Sequence, residues 1–279
     1  MSLDSGLTAF GPSQGRSMVD LTLLVAEELP CAWGSHVPYQ QKTYNFFVDN
    51  TETKESPLFS KVGPYQTRWL MIDEHTGTHF DAPAHFIPEP GSGISNEGPA
   101  GLIYADMVSL EQLSGQAAVI DVPSDLPGAG LGISPIIPPS VIEDFEKKHG
   151  RLQPNDVVLF RSGWDRNYLA GEAGNAYCFG PLITKTELGW PAPEVPAMKL
   201  LIDRGIRCVG TDSPSMGSTH DGAAVHVAGL SQGLCFVEAL ANLKSLPPRG
   251  AWFMFAPLRL ARGTGSPGRA FAIVPERAG

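Results

Sequence analysis

Four side chains that could bind a metal ion or transfer a proton lie within eleven residues of this 279-residue chain, and they are His75, His79, Asp81 and His85. Neutral imidazole nitrogens and carboxylates are ligands that zinc and similar divalent metals take. His79 and Asp81 lie two residues apart, so on an extended backbone they point to the same side. Gly77 lets the chain bend, which would bring His75 to the same centre. The stretch therefore predicts a divalent-metal site, with a solvated histidine loop as the alternative.

Two other motifs would carry different chemistry, and their surroundings argue against both. Residues 229–233 match GxSxG, the nucleophile elbow of serine hydrolases, but there the catalytic histidine follows the serine, and no histidine follows His226. Residues 263–268 match GxGxxG after an apolar run, but only eleven residues remain beyond them, too few for a βαβ unit. The sequence therefore supports neither a serine nucleophile nor a nicotinamide cofactor.

The spelling HxGTHxDxPxHF of residues 75–86 resembles the signature of the metal-dependent cyclase family, which includes kynurenine formamidase, isatin hydrolase and trans-dienelactone hydrolase. Four further segments resemble family motifs in the same order, at residues 20–22, 156–164, 205–215 and 256–270. The resemblance implies an α/β fold of the swivelling β/β/α type with a mixed sheet, as in kynurenine formamidase. It also implies one hydrolase domain over residues 1–279, in which 1–17 is a flexible N-terminal extension.

The resemblance also implies roles for individual residues. The family's metal ligands correspond to His75, His79 and Asp81. Its catalytic acid/base corresponds to His85. In kynurenine formamidases a later histidine and a glutamate twelve residues beyond it complete a second metal position, and His226 and Glu238 have that spacing. One or two ions of Zn²⁺ or Mn²⁺ are therefore expected per subunit, with Glu238 either a ligand or a second proton carrier.

The reaction that the resemblance implies is hydrolysis by a metal-activated water. The sequence of the motif is most similar to those of the isatin and dienelactone branch, which favours opening of a small cyclic amide or lactone. An arylformamidase acting on N-formylkynurenine-like substrates is the alternative enzyme, and a non-catalytic metal- or ligand-binding member of the fold is the alternative outside catalysis. The family's Trp-Pro-Gly-Asp substrate loop is replaced by PCAWGS at residues 30–35, where Trp33 is the candidate aromatic wall.

Composition narrows the range of partners. The net charge of −9 argues against nucleic acids and anionic membrane surfaces. The partner that the family resemblance implies is a small-molecule substrate. No apolar run approaches the length of about 20 residues that a membrane span needs. The start of the sequence lacks a signal-peptide pattern, and the four cysteines are widely spaced, which together favour a cytoplasmic location. The resemblance also implies that the protein is a homodimer. The aromatic-rich residues 37–65 are a candidate lid or dimer contact, with packing on the local core as the alternative.

The elements that must position these residues follow from hydrophobic patterning. Short apolar runs predict strands at residues 18–25, 68–72, 117–122, 156–160, 206–210, 251–256 and 269–274. Helices are predicted at residues 140–149, 194–204 and 234–243. Because strands outnumber helices, the pattern favours an α/β domain with a mixed sheet. Asp212 and Ser215 are expected to support the site from a strand end. The remaining histidines, His36, His149 and His220, are interpreted as ordinary surface or core residues, with lining of the pocket as the alternative for His220, which lies in a Gly-rich loop near His226.

Overall fold

The computed structural model describes residues 15–47 and 65–275. Within these ranges the chain forms three α-helices, α1 (Pro139–His149), α2 (Val195–Asp203) and α3 (Ala223–Leu230). The strands in the same ranges are β1 (Arg16–Asp20), β2 (Gln40–Phe46), β3 (Gln66–Met71), β4 (His79–Asp81), β5 (Ser114–Asp121), β6 (Ile136–Ile137), β7 (Val157–Arg161), β8 (Ala192–Pro193), β9 (Cys208–Thr211), β10 (Cys235–Glu238), β11 (Trp252–Pro257) and β12 (Gly265–Pro275). None of the described helices is long and apolar enough to cross a membrane.

Seven strands close into a ring in the order β12, β11, β5, β7, β9, β10, β4 and back to β12. The strands β5, β7, β9 and β10 run parallel, whereas β4, β11 and β12 make antiparallel pairs. The long strand β12 closes the ring because its first residues pair with β4 and its later residues pair with β11. Strand β1 adds to the outer edge of β12.

The apolar residues of the parallel strands alternate between two cores. In β7, Val157 and Leu159 pack inside the ring, while Val158 and Phe160 pack against the helices. Successive side chains of a strand point to opposite faces, so a strand buried on both faces reads as a continuous apolar run. The helices α1 and α2 place Ile142, Phe145 and Leu201 in the outer core.

The predicted α/β class and mixed sheet are confirmed, and each of the seven predicted strands overlaps an observed one. The swivelling β/β/α arrangement stays a prediction. The predicted helix at residues 234–243 is wrong, because Cys235–Glu238 is strand β10 and the helix α3 precedes it. A short apolar run does not distinguish a buried strand from a buried helix by periodicity. The GxSxG segment at residues 229–233 therefore connects a helix to a strand, the reverse of a nucleophile elbow.

Two of the predicted segments, the N-terminal extension 1–17 and the aromatic-rich residues 37–65, lie partly outside the described residues. Most of the expected flexible extension 1–17 is not described, but Arg16 and Ser17 already pair with β12. Residues 48–64 of the aromatic-rich segment are not described either. On both sides of them, β2 and β3 form a separate two-stranded sheet. Phe46 at the end of β2 and the adjoining Phe47 and Tyr65 are exposed, so these three rings do not pack in the local core.

Candidate metal centre

Neighbouring strands bring the motif residues together. Strand β4 carries His79 and Asp81, and antiparallel pairing with β10 places Glu238 directly opposite His79. The helix α3 supplies His226 and leads back into β10. The site therefore lies at the carboxyl end of β10, where ligands commonly bind in α/β sheets.

The first centre consists of His75, His79 and Asp81, whose ligand atoms lie within 4.8 Å of one another. The Nδ1 atom of His75 lies 2.9 Å from Oδ1 of Asp81, and the Nε2 atom of His79 lies 3.5 Å from the same oxygen. Both His79 and Asp81 are buried. The three side chains thus converge as the sequence pattern predicts.

The second centre consists of Asp81, His226 and Glu238, all of them buried. The Nε2 atom of His226 lies 3.1 Å from Oε1 of Glu238 and 3.4 Å from Oδ2 of Asp81. The second carboxylate oxygen of Glu238 lies 3.5 Å from Nε2 of His79, which belongs to the first centre. Asp81 is therefore shared by the two centres, and the twelve-residue spacing of His226 and Glu238 does correspond to proximity in space.

Backbone carbonyls set the tautomers of two of these histidines. Nδ1 of His79 donates to the carbonyl of Gly77 at 2.8 Å, and Nδ1 of His226 donates to that of Gly222 at 2.6 Å. A carbonyl oxygen only accepts, so the proton resides on Nδ1 and the Nε2 atom faces the carboxylates. This is the arrangement that a metal-ligating imidazole needs, because its other nitrogen is held by a partner outside the centre.

The cluster concentrates negative charge in a buried volume. Burial by itself raises the pKa of Asp81, but the surrounding imidazoles, chiefly that of His85, hold it well below its ordinary value. Burial likewise lowers the pKa of His226, but the carboxylates of Asp81 and Glu238 raise it to about 10. The pKa of His79 is raised for the same reason, against the effect of burial. The two carboxylates thus draw positive charge into the site.

The donor set fits a divalent cation. It offers three imidazoles and two carboxylates, the ligand types that zinc and manganese accept. The Oδ2 atom of Asp81 is buried without a hydrogen bond, although it lies near His226. A buried carboxylate oxygen without a partner is costly, and a cation held by the second centre would satisfy it.

A cavity of about 360 Å³ opens onto the cluster. The ring of His85 lines this cavity and stacks on His75, with ring centroids 4.0 Å apart. Burial lowers the pKa of His85 to about 4, so its imidazole is neutral near pH 7 and can accept a proton. Trp33 lines the same cavity together with Phe86 and Leu182. A larger cavity, of about 650 Å³, lies at the amino ends of β5, β7 and β9 and contains none of the motif residues.

Two further histidines line the site cavity: His36, which the sequence interpretation left as an ordinary residue, and His220, for which it left lining of the pocket open. His36 pairs with Asp73 at 3.2 Å, and the Nδ1 atom of His220 accepts a hydrogen bond from the Ser134 amide at 3.3 Å. His220 lies six residues before His226, whereas His36 lies 39 residues before His75, so proximity in sequence could single out His220 but not His36. His149 lies at the end of α1, away from the cavity.

The expected support from the end of β9 takes two forms. The amide of Met216 donates to Oε1 of Glu238 at 2.6 Å, and the hydroxyl of Ser215 lies 3.4 Å from the same oxygen. Asp212 instead holds the turn after β7 by accepting hydrogen bonds from the Ser162 and Gly163 amides. Ser215 thus contacts a site residue, whereas Asp212 supports the backbone next to the site.

Comparison with known proteins identifies the family. The model of the Cyclase family, described as "Putative cyclase", matches residues 19–218. An isatin hydrolase from Roseibium aggregatum is 31% identical over 242 residues, which cover 82% of this chain and 84% of that protein. The chain belongs to the cyclase family. A kynurenine formamidase from Salinibacter ruber is 26% identical to this member over 212 residues, covering 72% of the chain and 76% of the relative.

Solved structures agree with this membership over the full length of the chain. An isatin hydrolase bound to the product analogue thioisatinate superposes with a TM-score of 0.75 at 25% identity, covering 99% of this cyclase-family chain and 100% of the other. An isatin hydrolase A from Labrenzia aggregata, bound to benzyl benzoate, gives a TM-score of 0.73 at 26% identity, with 97% and 98% of the two chains covered.

Proposed function

We propose that this cyclase-family chain is a metal-dependent hydrolase that opens a small cyclic amide or lactone. The observation that carries the proposal is the convergence of His75, His79 and Asp81 beside a cavity that also holds the imidazole of His85. The similarity to an isatin hydrolase over most of both chains supports the substrate class. The cavity sets the apolar side chains of Trp33, Phe86 and Leu182 among polar groups, and these three side chains suit a planar aromatic ring.

The roles of the residues follow from their placement. His75, His79 and Asp81 would hold a divalent cation, which supplies polarisation of a carbonyl oxygen and lowers the pKa of a water molecule. His85, neutral and facing the cavity, takes the proton of the attacking water and passes it to the leaving nitrogen or oxygen. Trp33 packs edge-on against Trp190, with centroids 6.0 Å apart, and would present its free surface to the substrate ring. The amide C–N or ester C–O bond is the bond cleaved.

We propose two cations per subunit, because Asp81 has one carboxylate oxygen directed at each centre. His226 and Glu238 would complete the second centre, and Glu238 then acts as a ligand rather than a proton carrier. Titration of the metal-free protein with Mn²⁺ or Zn²⁺ tests this proposal. Two equivalents are expected for the wild type and one for His226→Ala, whereas one equivalent for both would refute the second centre.

We also propose a homodimer formed through the β2–β3 sheet. This two-stranded sheet exposes Phe46, Trp69 and Leu70 by 61%, 45% and 55%. A two-stranded hairpin is marginal by itself, and exposed aromatic side chains are typical of the buried part of a subunit interface. A second copy of the chain would cover these residues. Sedimentation should give a dimer that Leu70→Asp dissociates, whereas a monomeric wild type would refute the proposal.

A cytoplasmic location stays a prediction.

The reaction can be tested with three substrates. The cation-loaded protein should open isatin or a dienelactone faster than it hydrolyses N-formylkynurenine. Preference for N-formylkynurenine would select the arylformamidase alternative, and no turnover of any amide, lactam or lactone would leave the non-catalytic alternative. His85→Ala should keep its bound cation and lose about 10²–10⁴-fold in rate, the usual contribution of a general acid or base. His149→Ala, at the exposed end of α1, is the matched control and should keep full activity. Near-full activity of His85→Ala would contradict the acid/base assignment.

A further inference from the structure

His75 meets the metal centre through a different ring atom from the other two histidines. Its Nδ1 atom faces Asp81, whereas His79 and His226 face the carboxylates with Nε2. The Nε2 atom of His75 points away from the centre and lies 3.3 Å from the hydroxyl of Thr264. Among residues 15–47 and 65–275, no backbone carbonyl holds a ring nitrogen of His75 in the way that Gly77 holds that of His79.

The carboxylate of Glu74 determines which way the hydroxyl of Thr264 donates its hydrogen bond. Oε2 of Glu74 lies 2.8 Å from that hydroxyl and 2.8 Å from the amide of the same threonine. A carboxylate only accepts, so the hydroxyl donates to Glu74 and keeps a lone pair that can accept the Nε2 proton of His75. This chain of two hydrogen bonds gives the Nε2 proton of His75 an acceptor, so Nδ1 is available for a cation, which would replace its 2.9 Å contact with Asp81.

The backbone around Thr264 also fits closely against the same groups. A Cβ atom on Gly265 would lie 2.5 Å from Cε1 of His75, and one on Gly263 would lie 3.1 Å from Oε1 of Glu74. The glycines on either side of Thr264 thus allow this segment to approach both the imidazole ring and the carboxylate. Pairing of Gly265 with Asp81 fixes the segment to β4.

We propose that Thr264 and Glu74 are positioning residues that hold His75 in its Nε2–H tautomer, ready to bind a cation through Nδ1. The inference rests on the proposed metal centre and adds two residues outside its ligand set. Partners of this kind usually change metal affinity by about 10–100-fold when removed.

Cation affinity of the metal-free protein, measured by titration calorimetry with Mn²⁺ or Zn²⁺, tests the proposal without any substrate. Thr264→Val keeps the shape of the side chain and removes the hydroxyl, so the affinity of the first centre should fall about 10–100-fold. Thr264→Ser restores the hydroxyl and should bind as the wild type does. Thr186→Val, on an exposed loop, is the matched control and should change nothing.

The two residues act in series, which gives a readout that a merely structural role would not produce. Glu74→Met alone should weaken cation binding. Added to Thr264→Val, it should cause little further loss, because the hydrogen bond between the two side chains is already absent. In the Zn²⁺-loaded wild type, ¹⁵N NMR should show the ring proton of His75 on Nε2 and that of His79 on Nδ1.

Three results would overturn the inference. They are unchanged affinity in Thr264→Val, fully additive losses in the double variant, and a proton on Nδ1 of His75 in the loaded protein. If Thr264→Val fails to fold, Glu74→Met and the NMR measurement still decide. Failure of the wild type to bind either cation would instead refute the metal centre itself, and the positioning role with it.

Discussion

Replacing Gly265 by alanine should weaken cation binding by more than its loss of folding stability can explain. The added Cβ would lie 2.5 Å from Cε1 of His75 and 2.6 Å from the backbone carbonyl of Phe80. The overlap with the carbonyl of β4 displaces the backbone at residue 265, and the overlap with Cε1 displaces the imidazole ring relative to that backbone. Ordinary contact begins at 3.4 Å, so the ring must shift by about 0.9 Å.

The size of this shift predicts the loss. Metal–ligand distances tolerate deviations of only about 0.2 Å, so a shift of about 0.9 Å removes His75 from the first centre. The affinity for Mn²⁺ or Zn²⁺ should fall at least about tenfold, which is about 1.4 kcal/mol. Overpacking should also reduce the free energy of unfolding of the metal-free protein by about 1–3 kcal/mol.

The matched control is Gly115→Ala in β5, at the far end of the ring. A Cβ there would lie 2.5 Å from the backbone carbonyl of Asn155, an overlap as severe as that at Gly265. Urea unfolding of the metal-free variants should give similar losses of stability, while calorimetry should show weak cation binding only in Gly265→Ala. Wild-type affinity in Gly265→Ala, or an equal loss in Gly115→Ala, would refute the claim that contact with this glycine positions His75.

Three further predictions concern stability. Burial raises the pKa of Asp212 to about 6, so the folded chain keeps a proton that the unfolded chain loses near pH 4. This contribution to stability is complete below about pH 4 and is lost as the pH rises through about 6. Between pH 4 and pH 7 the unfolding free energy of the wild type should therefore fall by about 3 kcal/mol relative to that of Asp212→Asn. A difference between the two proteins that stays constant with pH in urea unfolding would contradict this prediction. Trp190→Phe removes a buried hydrogen bond of 2.8 Å to the carbonyl of Gly217 and should cost about 1–3 kcal/mol in the same assay. A divalent cation at 100 times its dissociation constant should raise the unfolding free energy by about 2.7 kcal/mol, a gain that a chelator reverses and that His79→Ala lacks.

The convergence of His75, His79 and Asp81 could be predicted from sequence because these residues lie close together along the chain. His79 and Asp81 sit on one short strand, so their alternation alone places them on one side, and the bend at Gly77 brings His75 back. The proximity of His226 and Glu238 followed from the resemblance to kynurenine formamidases and is confirmed, although the structure of the segment between them was predicted wrongly.

The remaining contacts depend on pairings that no local pattern encodes. Thr264 reaches His75 across 189 residues because β12 pairs with β4, and that pairing closes the ring. The three residues of β4 are too few for a recognisable strand pattern. His36 and His220 enter the cavity from loops, whose paths hydrophobic periodicity does not predict.

The pairing of β4 with β12 sets an order of events during synthesis of the protein. The ligands on β4 leave the ribosome early, but their neighbour Gly265 is translated 184 residues after Asp81. At about 5–20 residues per second, the nascent chain waits roughly 9–37 s before the strand that closes the ring exists. Through that interval the β4 edge that pairs with β12 and the carboxylate of Asp81 stay open to water, so the candidate cation site is complete only after β12 has been translated.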